Sequence, residues 1–332
     1  MKILIVTNMF PTNELPYYGI FVKEQMMAIE SIYPEIQYDC YFIEGGGVLG
    51  GGITKSLKNY IRSINDVDRL IRRNKYDLVH IHYGMSGFFM LNPFRKRVPT
   101  ILTLHGGDIL KEQNGSLQVF LTKQVIRRVS HTITLNDVMY EIVRKLSLDT
   151  SIIPCAVDTD TFVTTTNCIN ASNVPLIVFP SSRHRKVKNF PLFIEVLSIL
   201  KTDYNLACDY VEIDNMTRDE VSSIFKKADL MLMTSLSEGS PQVVKEAMAC
   251  NLAIVSTPVG DVSVLLDGVE DCAVATSFDA QELANLCVRS LSRSMYGIKG
   301  REQIYKLGLS KEDVAKKIYM IYKKYAYEAH NG

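Results

Sequence analysis

The sequence predicts two doubly wound α/β domains in tandem. Three observations carry that expectation. The chain has 332 residues, more than one ordinary core holds. Short apolar runs alternate with amphipathic stretches, the pattern of parallel strands covered by helices on both faces. One polar, aperiodic break runs from Asp158 to Pro175, after which the alternation resumes, so it reads as a linker. These divide the chain into a first domain over 1–165, a second over 166–310 and a closing helix over 311–332. Two such halves make a cleft, and ligands of doubly wound sheets bind outside the carboxyl ends of the strands.

In order, "KILIVT" (2–7), "IQYDCYFI" (36–43), "YDLVHIH" (76–82), "PTILTLH" (99–105) and "HTITLN" (131–136) read as strands of the first half. Helices fall between them at 19–31, 53–74 and 118–130; in the second of these Leu57, Ile61, Ile64, Val67 and Ile71 recur at helical spacing. In the second half "LIVFP" (176–180), "ACDYVEI" (207–213), "DLMLMT" (229–234), "LAIVST" (252–257) and "DCAVAT" (271–276) are strands, and 190–200 is a helix. Thr217 with Glu220 forms a capping box, and Asp279 and Ser310 precede the last helices as caps.

Hydrophobic residues make up 47% of the chain, which excludes a largely disordered protein. Net charge is +1, from 37 basic and 36 acidic residues, so bulk charge does not point to nucleic acid, and any anion site must be local. No apolar run reaches the roughly eighteen residues of a membrane span, and "MKILIVTNMF" reads as a first buried strand, not a leader. Seven scattered cysteines without a CxxC pair fit reduced thiols in the cytoplasm, not a disulfide frame or a zinc site.

The segment richest in chemistry starts at residue 237, "SEGSPQVVKEAMACNLAIVSTPVGD". Ser240 is a suitable N-cap and Pro241 a suitable first helical residue, so a helix starts at the carboxyl end of a strand, its amides open to an anion. Glu238 stands before the helix and Glu246 inside it, on either side of those amides. A diphosphate flanked by a sugar and a ribose fits that layout. A capped helix with one solvated glutamate fits the spacing equally well.

This stretch resembles the Glu-x7-Glu signature of family 4 retaining glycosyltransferases, which have the GT-B fold of two Rossmann-like domains facing across a cleft. The resemblance extends over nearly the whole chain: the opening "NMFPTNELPYYGIFVKEQ", "LTLHGGD" (102–108), "IPCAVDTDTF" (153–162) and "SSRHRKVKN" (181–189), similar to an Arg-x4-Lys phosphate clamp. At 155–156 the chain has Cys155 and Ala156 where the family has Asn-Gly. The closest flavour is the teichuronic-acid or capsular-polysaccharide type.

The resemblance implies roles. Glu246 binds the ribose hydroxyls and Glu238 the donor sugar. Gly239, Ser240 and Pro241 bring backbone to the sugar and phosphates, and Arg183 and Lys188 neutralise the diphosphate. His105 faces the donor sugar in the transition state, and Gly19 lets the first loop approach phosphates or acceptor. No cofactor beyond the nucleoside-diphosphate sugar itself and no metal is implied. The partners implied are that nucleotide sugar, a saccharide or lipid-linked saccharide acceptor and an anionic membrane surface, which places the protein in the cytoplasm at the inner face of the membrane. It also implies a closing helix that crosses back to the first domain. A nucleotide-sugar epimerase and a non-catalytic sugar-nucleotide-binding protein share these features.

Other signals are weaker. "GGGVLGG" (45–51) contains GxGxxG, but the acid that a dinucleotide site wants at the end of the next strand is absent. His80 and His82 share one strand face, with no third ligand placed for a metal. "NPFRKRVP" (92–99) and "TKQVIRRVSH" (122–131) are basic clusters with apolar neighbours, suited either to anionic headgroups or to solvent. No glycine stands in 201–216, which leaves uracil, guanine and adenine all open as the base, with backbone at 213–216 beside it.

Overall fold

The computed structural model describes residues 1–13, 15, 17–44, 53–110, 116–164, 174–292 and 299–331. The glycine-rich stretch 45–51 lies outside them. The chain divides into two units, Met1–Ala156 with Lys311–Gly332, and Val157–Ser310.

In the first unit β1 (Lys2–Thr7), β2 (Gln37–Phe42), β3 (Leu78–His82), β4 (Thr100–Thr103), β5 (His131–Thr134) and β6 (Thr150–Ile152) form one sheet in the order β2-β1-β3-β4-β5-β6. Every neighbouring pair is parallel. Alternate residues of a strand point to opposite faces, and both faces here are covered. Ile3, Ile5 and Ile101 pack with α1 (Ile20–Ile32) and α11 (Lys311–Asn331). Leu4, Val6 and Leu102 pack on the other side with α2 (Ile53–Arg73), the 3-10 segment Gly84–Leu91, α3 (Ser116–Ile126) and α4 (Asp137–Val143). Covering on both faces is why the strands read as continuous apolar runs.

The closing helix is tied in by buried polar contacts. The Tyr322 hydroxyl lies 2.6 Å from His80 Nδ1, and His80 Nε2 lies 2.8 Å from Thr103 Oγ1. Both nitrogens of a fully buried imidazole are thereby engaged. Tyr319 stacks on Tyr33 at 3.6 Å between centroids and donates to Glu35 Oε1 at 2.9 Å. Tyr322→Phe leaves a buried imidazole nitrogen without its partner. It is expected to destabilise this unit by about 1–3 kcal/mol, read as a lowered urea midpoint.

The second unit contains β7 (Leu176–Phe179), α5 (Phe190–Asp203), β8 (Asp209–Glu212), α6 (Arg218–Phe225), β9 (Leu230–Met233), α7 (Gln242–Ala249) and β10 (Ala253–Ser256). It closes with α8 (Val262–Leu265), β11 (Ala273–Val274), α9 (Ala280–Leu291) and α10 (Gly300–Lys306). Its parallel sheet runs β11-β10-β9-β7-β8. The order reverses between β7 and β9, so the loops leaving these two strands flank the crevice in which doubly wound sheets take ligands. Thr217 and Glu220 form the capping box on α6, and Asp279 accepts from Glu282 N on α9.

The break expected as a linker from Asp158 is in its first part no linker. Val157 bridges to Ser310, and Phe162 is fully buried in the second core. Arg301 donates to the carbonyls of Phe162 and Thr159, both at 2.7 Å. An aperiodic polar segment is held because an arginine supplies the partners that a sheet ladder would have given. The division therefore falls at Ala156/Val157 and not at 165.

Candidate functional site

The β7–β9 switch point brings together the loops 180–189 and 234–241. Their backbones are stitched: Leu236 N donates to Val187 O at 2.8 Å, and the Thr234 hydroxyl lies 3.1 Å from the carbonyls of both Lys188 and Asn189. Lys188 is thereby held with its ammonium 2.5 Å from Glu238 Oε1, its side chain only 10% exposed. The structure thus joins one cation of the expected clamp to the first glutamate of the signature.

Arg183 is engaged elsewhere. Its Nε lies 2.5 Å from Glu212 Oε2, its backbone N donates to Glu212 Oε1, and its guanidinium sits over the Phe190 ring at 5.0 Å. Glu212 ends β8 in register with Phe179, the last residue of β7, which places its carboxylate beside the loop leaving β7. Sequence reasoning missed Glu212; its position as the last strand residue of "YVE" was the available signal.

The helix after Glu238 starts one residue later than expected. Pro241 is the N-cap, with φ −67° and ψ 116°, and Gln242 is the first helical residue of α7. A proline disfavours helical geometry in the residue before it, so Ser240 lies outside the helix and does not cap it. Pro241 also has no N–H, so it offers its ring and carbonyl but no donor. Ser240 instead takes a hydrogen bond from Lys245 Nζ at 3.2 Å. Lys245 is fully buried. Helical side chains lean toward the N-terminus, which carries this ammonium back under the loop. A buried lysine inside "VVKEAM" has no signature in sequence apart from breaking an apolar run.

Glu246 is 4% exposed and forms an ion pair with Arg218. Arg218 is the first residue of α6, after the Thr217 cap, and its guanidinium lies over the Phe162 ring at 4.8 Å. The solvated-glutamate reading is therefore overturned, because an arginine from a different helix desolvates and pairs Glu246. Sequence reasoning found the capping box but not the arginine inside it.

The loop after β10 closes the far side. Thr257 Oγ1 donates to Ser235 O at 2.7 Å. Gly260 has φ +59°, and a Cβ there would sit 2.6 Å from Gly239 O. Only glycine permits that approach, which gives the "PVGD" loop its part in shaping the Glu238–Gly239 peptide.

In the first unit the carboxyl ends of β1, β3 and β4 align in one row, Thr7 with His82 and His82 with Thr103. His105 follows β4 directly. Asp108, fully buried, accepts from His105 N at 3.1 Å and from Gly84 N at 2.9 Å, fixing the turn that carries the histidine. Burial pushes the Asp108 carboxyl up to about 6, against the pull of these backbone donors. Phe21 of α1 packs on the His105 ring at 4.8 Å, and His82 Nδ1 lies 3.2 Å from His105 Nε2. Gly19 is the N-cap of α1 with φ 67°, and a Cβ there would meet Met9 C at 2.3 Å. It is thus a helix start that also lets the loop after β1 pass against it.

Among the described residues no group of three or more His, Cys, Asp or Glu is placed to hold a metal ion.

Two parallel, doubly wound sheets of this construction are the fold of the GT-B glycosyltransferases. Sucrose-phosphate synthase of Thermosynechococcus elongatus is similar with a TM-score of 0.78 over 97% of this chain and 98% of that one. Anabaena HepE in complex with UDP-glucose is similar with a TM-score of 0.72 over 98% and 100%. Each is 15% identical in sequence. The Glycosyltransferase Family 4 model matches residues 34–161, and the model Glycosyl transferases group 1 matches residues 198–293. The chain thus carries glycosyltransferase domains of these two descriptions and is a glycosyltransferase of GT-B type. A Bacillus subtilis (strain 168) protein assigned to teichuronic acid biosynthesis, the glycosyltransferase TuaC, is 21% identical over 98% of each chain.

Proposed function

We propose that the second unit binds a nucleoside-diphosphate sugar and that the protein moves its sugar, with retention of configuration and without a metal, to a saccharide or lipid-linked saccharide acceptor. The observation that carries this reading is the pair of ion pairs, Lys188–Glu238 and Arg218–Glu246, set around the Glu238–Pro241 loop and the mouth of α7. The ribose takes Glu246, and the donor sugar takes Glu238. The diphosphate takes the backbone N–H groups at the loop and helix start, with Lys188 and Arg183 as counter-charges. Segment 213–218 lies beside the base, since Arg218 brings it to Glu246. The bond from the anomeric carbon to the diphosphate oxygen breaks while the acceptor oxygen bonds to that carbon on the same face. The departing diphosphate takes the acceptor proton. Negative charge grows on the diphosphate in this step, which is where fixed cations and amide dipoles lower a barrier. His105, on the first unit, serves the donor sugar in the transition state.

We place the activity in cell-surface polysaccharide synthesis, in the cytoplasm at the inner face of the membrane, in keeping with the TuaC likeness. Among the described residues no helix is long and apolar enough to cross a membrane. The first unit carries a basic cluster suited to anionic headgroups. Arg95 is held below the usual guanidinium value by burial and then by the charges of Arg97 and Arg128, and Phe94 beside it is 83% exposed.

Glu246→Gln keeps the shape of the side chain but weakens the ribose contact. It is expected to raise the dissociation constant of the donor about tenfold or more, measured by titration calorimetry with UDP-glucose first and other sugar nucleotides after it. An unchanged affinity for a donor that the wild type binds removes the ribose assignment.

A further inference from the structure

In the sequence His82 shares one strand face with His80 and has no third ligand placed for a metal. We propose that His82 is a positioning residue: its Nδ1–H donates to His105 Nε2 and so holds His105 in the Nδ1–H tautomer, with that N–H as the hydrogen-bond donor His105 offers to the reaction. This rests on the reading of His105 given above for its catalytic part, but not for the pairing itself.

The geometry comes directly from the sheet. His82 is the last residue of β3, in register with Thr103, the last of β4, and His105 stands two residues beyond that partner. The two rings meet with His82 Nδ1 3.2 Å from His105 Nε2 and planes 24° apart. His82 is fully buried, with the His80 ring at 4.3 Å between centroids. Its Nε2 has no hydrogen-bond partner among the described residues.

That last fact fixes the direction of the bond. A neutral imidazole carries one N–H and one lone pair. Were the proton on His82 Nε2, a buried N–H would be orphaned, which folded proteins almost never tolerate; an under-used acceptor is tolerated more often. The proton therefore sits on Nδ1, inside the hydrogen bond, and His105 Nε2 is the acceptor. His105 must then carry its own proton on Nδ1. Burial holds His82 neutral, its value well below the ordinary one, so it does not compete for a second proton. An aspartate in this place would orient the imidazole and also favour its charged form. A neutral histidine orients it without that charge. The His105 ring is braced further by Phe21 and by the Asp108 grip on its backbone.

The test is nitrogen NMR of protein labelled with 15N-histidine, which separates the two neutral tautomers, together with steady-state kinetics. In the wild type His105 should show a protonated Nδ1. In His82→Phe, which fills the space but cannot donate, His105 should shift toward the Nε2–H form that imidazoles prefer in water. In His82→Asn, whose side-chain amide can reach the same acceptor, the wild-type tautomer should persist. Turnover should fall at least about tenfold in His82→Phe with donor KM little changed, and recover in His82→Asn. A wild-type His105 protonated on Nε2, or a His105 tautomer indifferent to His82→Phe, overturns the proposal, and the wild-type spectrum decides even where a variant fails to fold. The expected tautomer shift with turnover unmoved upholds the pairing and refutes the catalytic part given to His105.

Discussion

Lys188→Met will slow sugar transfer by about ten- to a hundredfold with the chain still folded. Lys188 loses one charge-assisted hydrogen bond in the transition state, worth about 1.5–3 kcal/mol, and each 1.4 kcal/mol or so is a factor of ten. Its position is not left to a flexible stem. The Lys188 carbonyl is held by Thr234, its neighbour Val187 by Leu236, and its ammonium by Glu238. A cation fixed before the reaction needs no reorganisation as charge develops, which is the condition under which such groups act strongly. Glu238→Gln should partly compensate the folding cost of Lys188→Met, because the carboxylate no longer remains half-buried without its counter-charge, and should do nothing to restore turnover. Measured turnover at saturating donor, with circular dichroism to confirm the fold, checks both. A Lys188→Met enzyme within a few-fold of wild type would take the diphosphate away from this residue.

Arg183 is expected to matter less. It holds two hydrogen bonds to Glu212 and a ring contact with Phe190, and its side chain is 45% exposed. To serve a diphosphate it must give up those contacts or share them, whereas Lys188 already stands at the loop. The sequence pattern weighs the two cations equally; the fold separates them through a single carboxylate on β8.

The same contrast runs through what could be read in advance. The alternation of strand and helix, the capping box at Thr217 and the cap at Asp279 are local, set by spacings of two to four residues, and they were legible. The two glutamates were legible as a spacing, but their surroundings were not. Arg218 meets Glu246 from another helix, Lys245 reaches Ser240 from beneath, and Gly260 touches Gly239 from another loop. Each is a meeting that topology makes, and no periodicity encodes it. Short elements escaped for a different reason. α4 has seven residues, β6 three and α8 four, too few for a period to show. The segment from Asp158 misled because its polar residues suggested solvent, while Phe162 and Arg301 fold it into a core.

Acidification will unfold the first unit before the second. Burial lowers His80 to about 3 and His131 to about 4, and takes His82 well below its ordinary value. The unfolded chain protonates these imidazoles near 6.5 and the folded chain does not. Their stabilising contribution is therefore full above pH 6.5 and is lost as pH falls from there toward the folded values. Asp108 works in the opposite sense. Its folded value near 6 lies above the ordinary 3.8, so its contribution is full below 3.8 and is lost as pH rises through about 6. The histidines outweigh the aspartate: His80 and His131 alone leave a net loss between pH 7 and pH 5 on the order of 2 kcal/mol, and His82 acts in the same direction. That is a large share of the roughly 5–15 kcal/mol that holds a typical domain. All four groups lie in the first unit: His80 between Tyr322 and Thr103, His82 against His105, His131 between Tyr325 and Ser151, and Asp108 under the His105 turn. Amide hydrogen exchange at pH 7 and pH 5, corrected for intrinsic rates, should then show protection lost in β3, β4 and β5 and kept in β7, β9 and β10. Equal loss in both sheets, or none in the first, would mean that these imidazoles accept protons without unfolding and that the buried row beside His105 is far less dry than its packing implies.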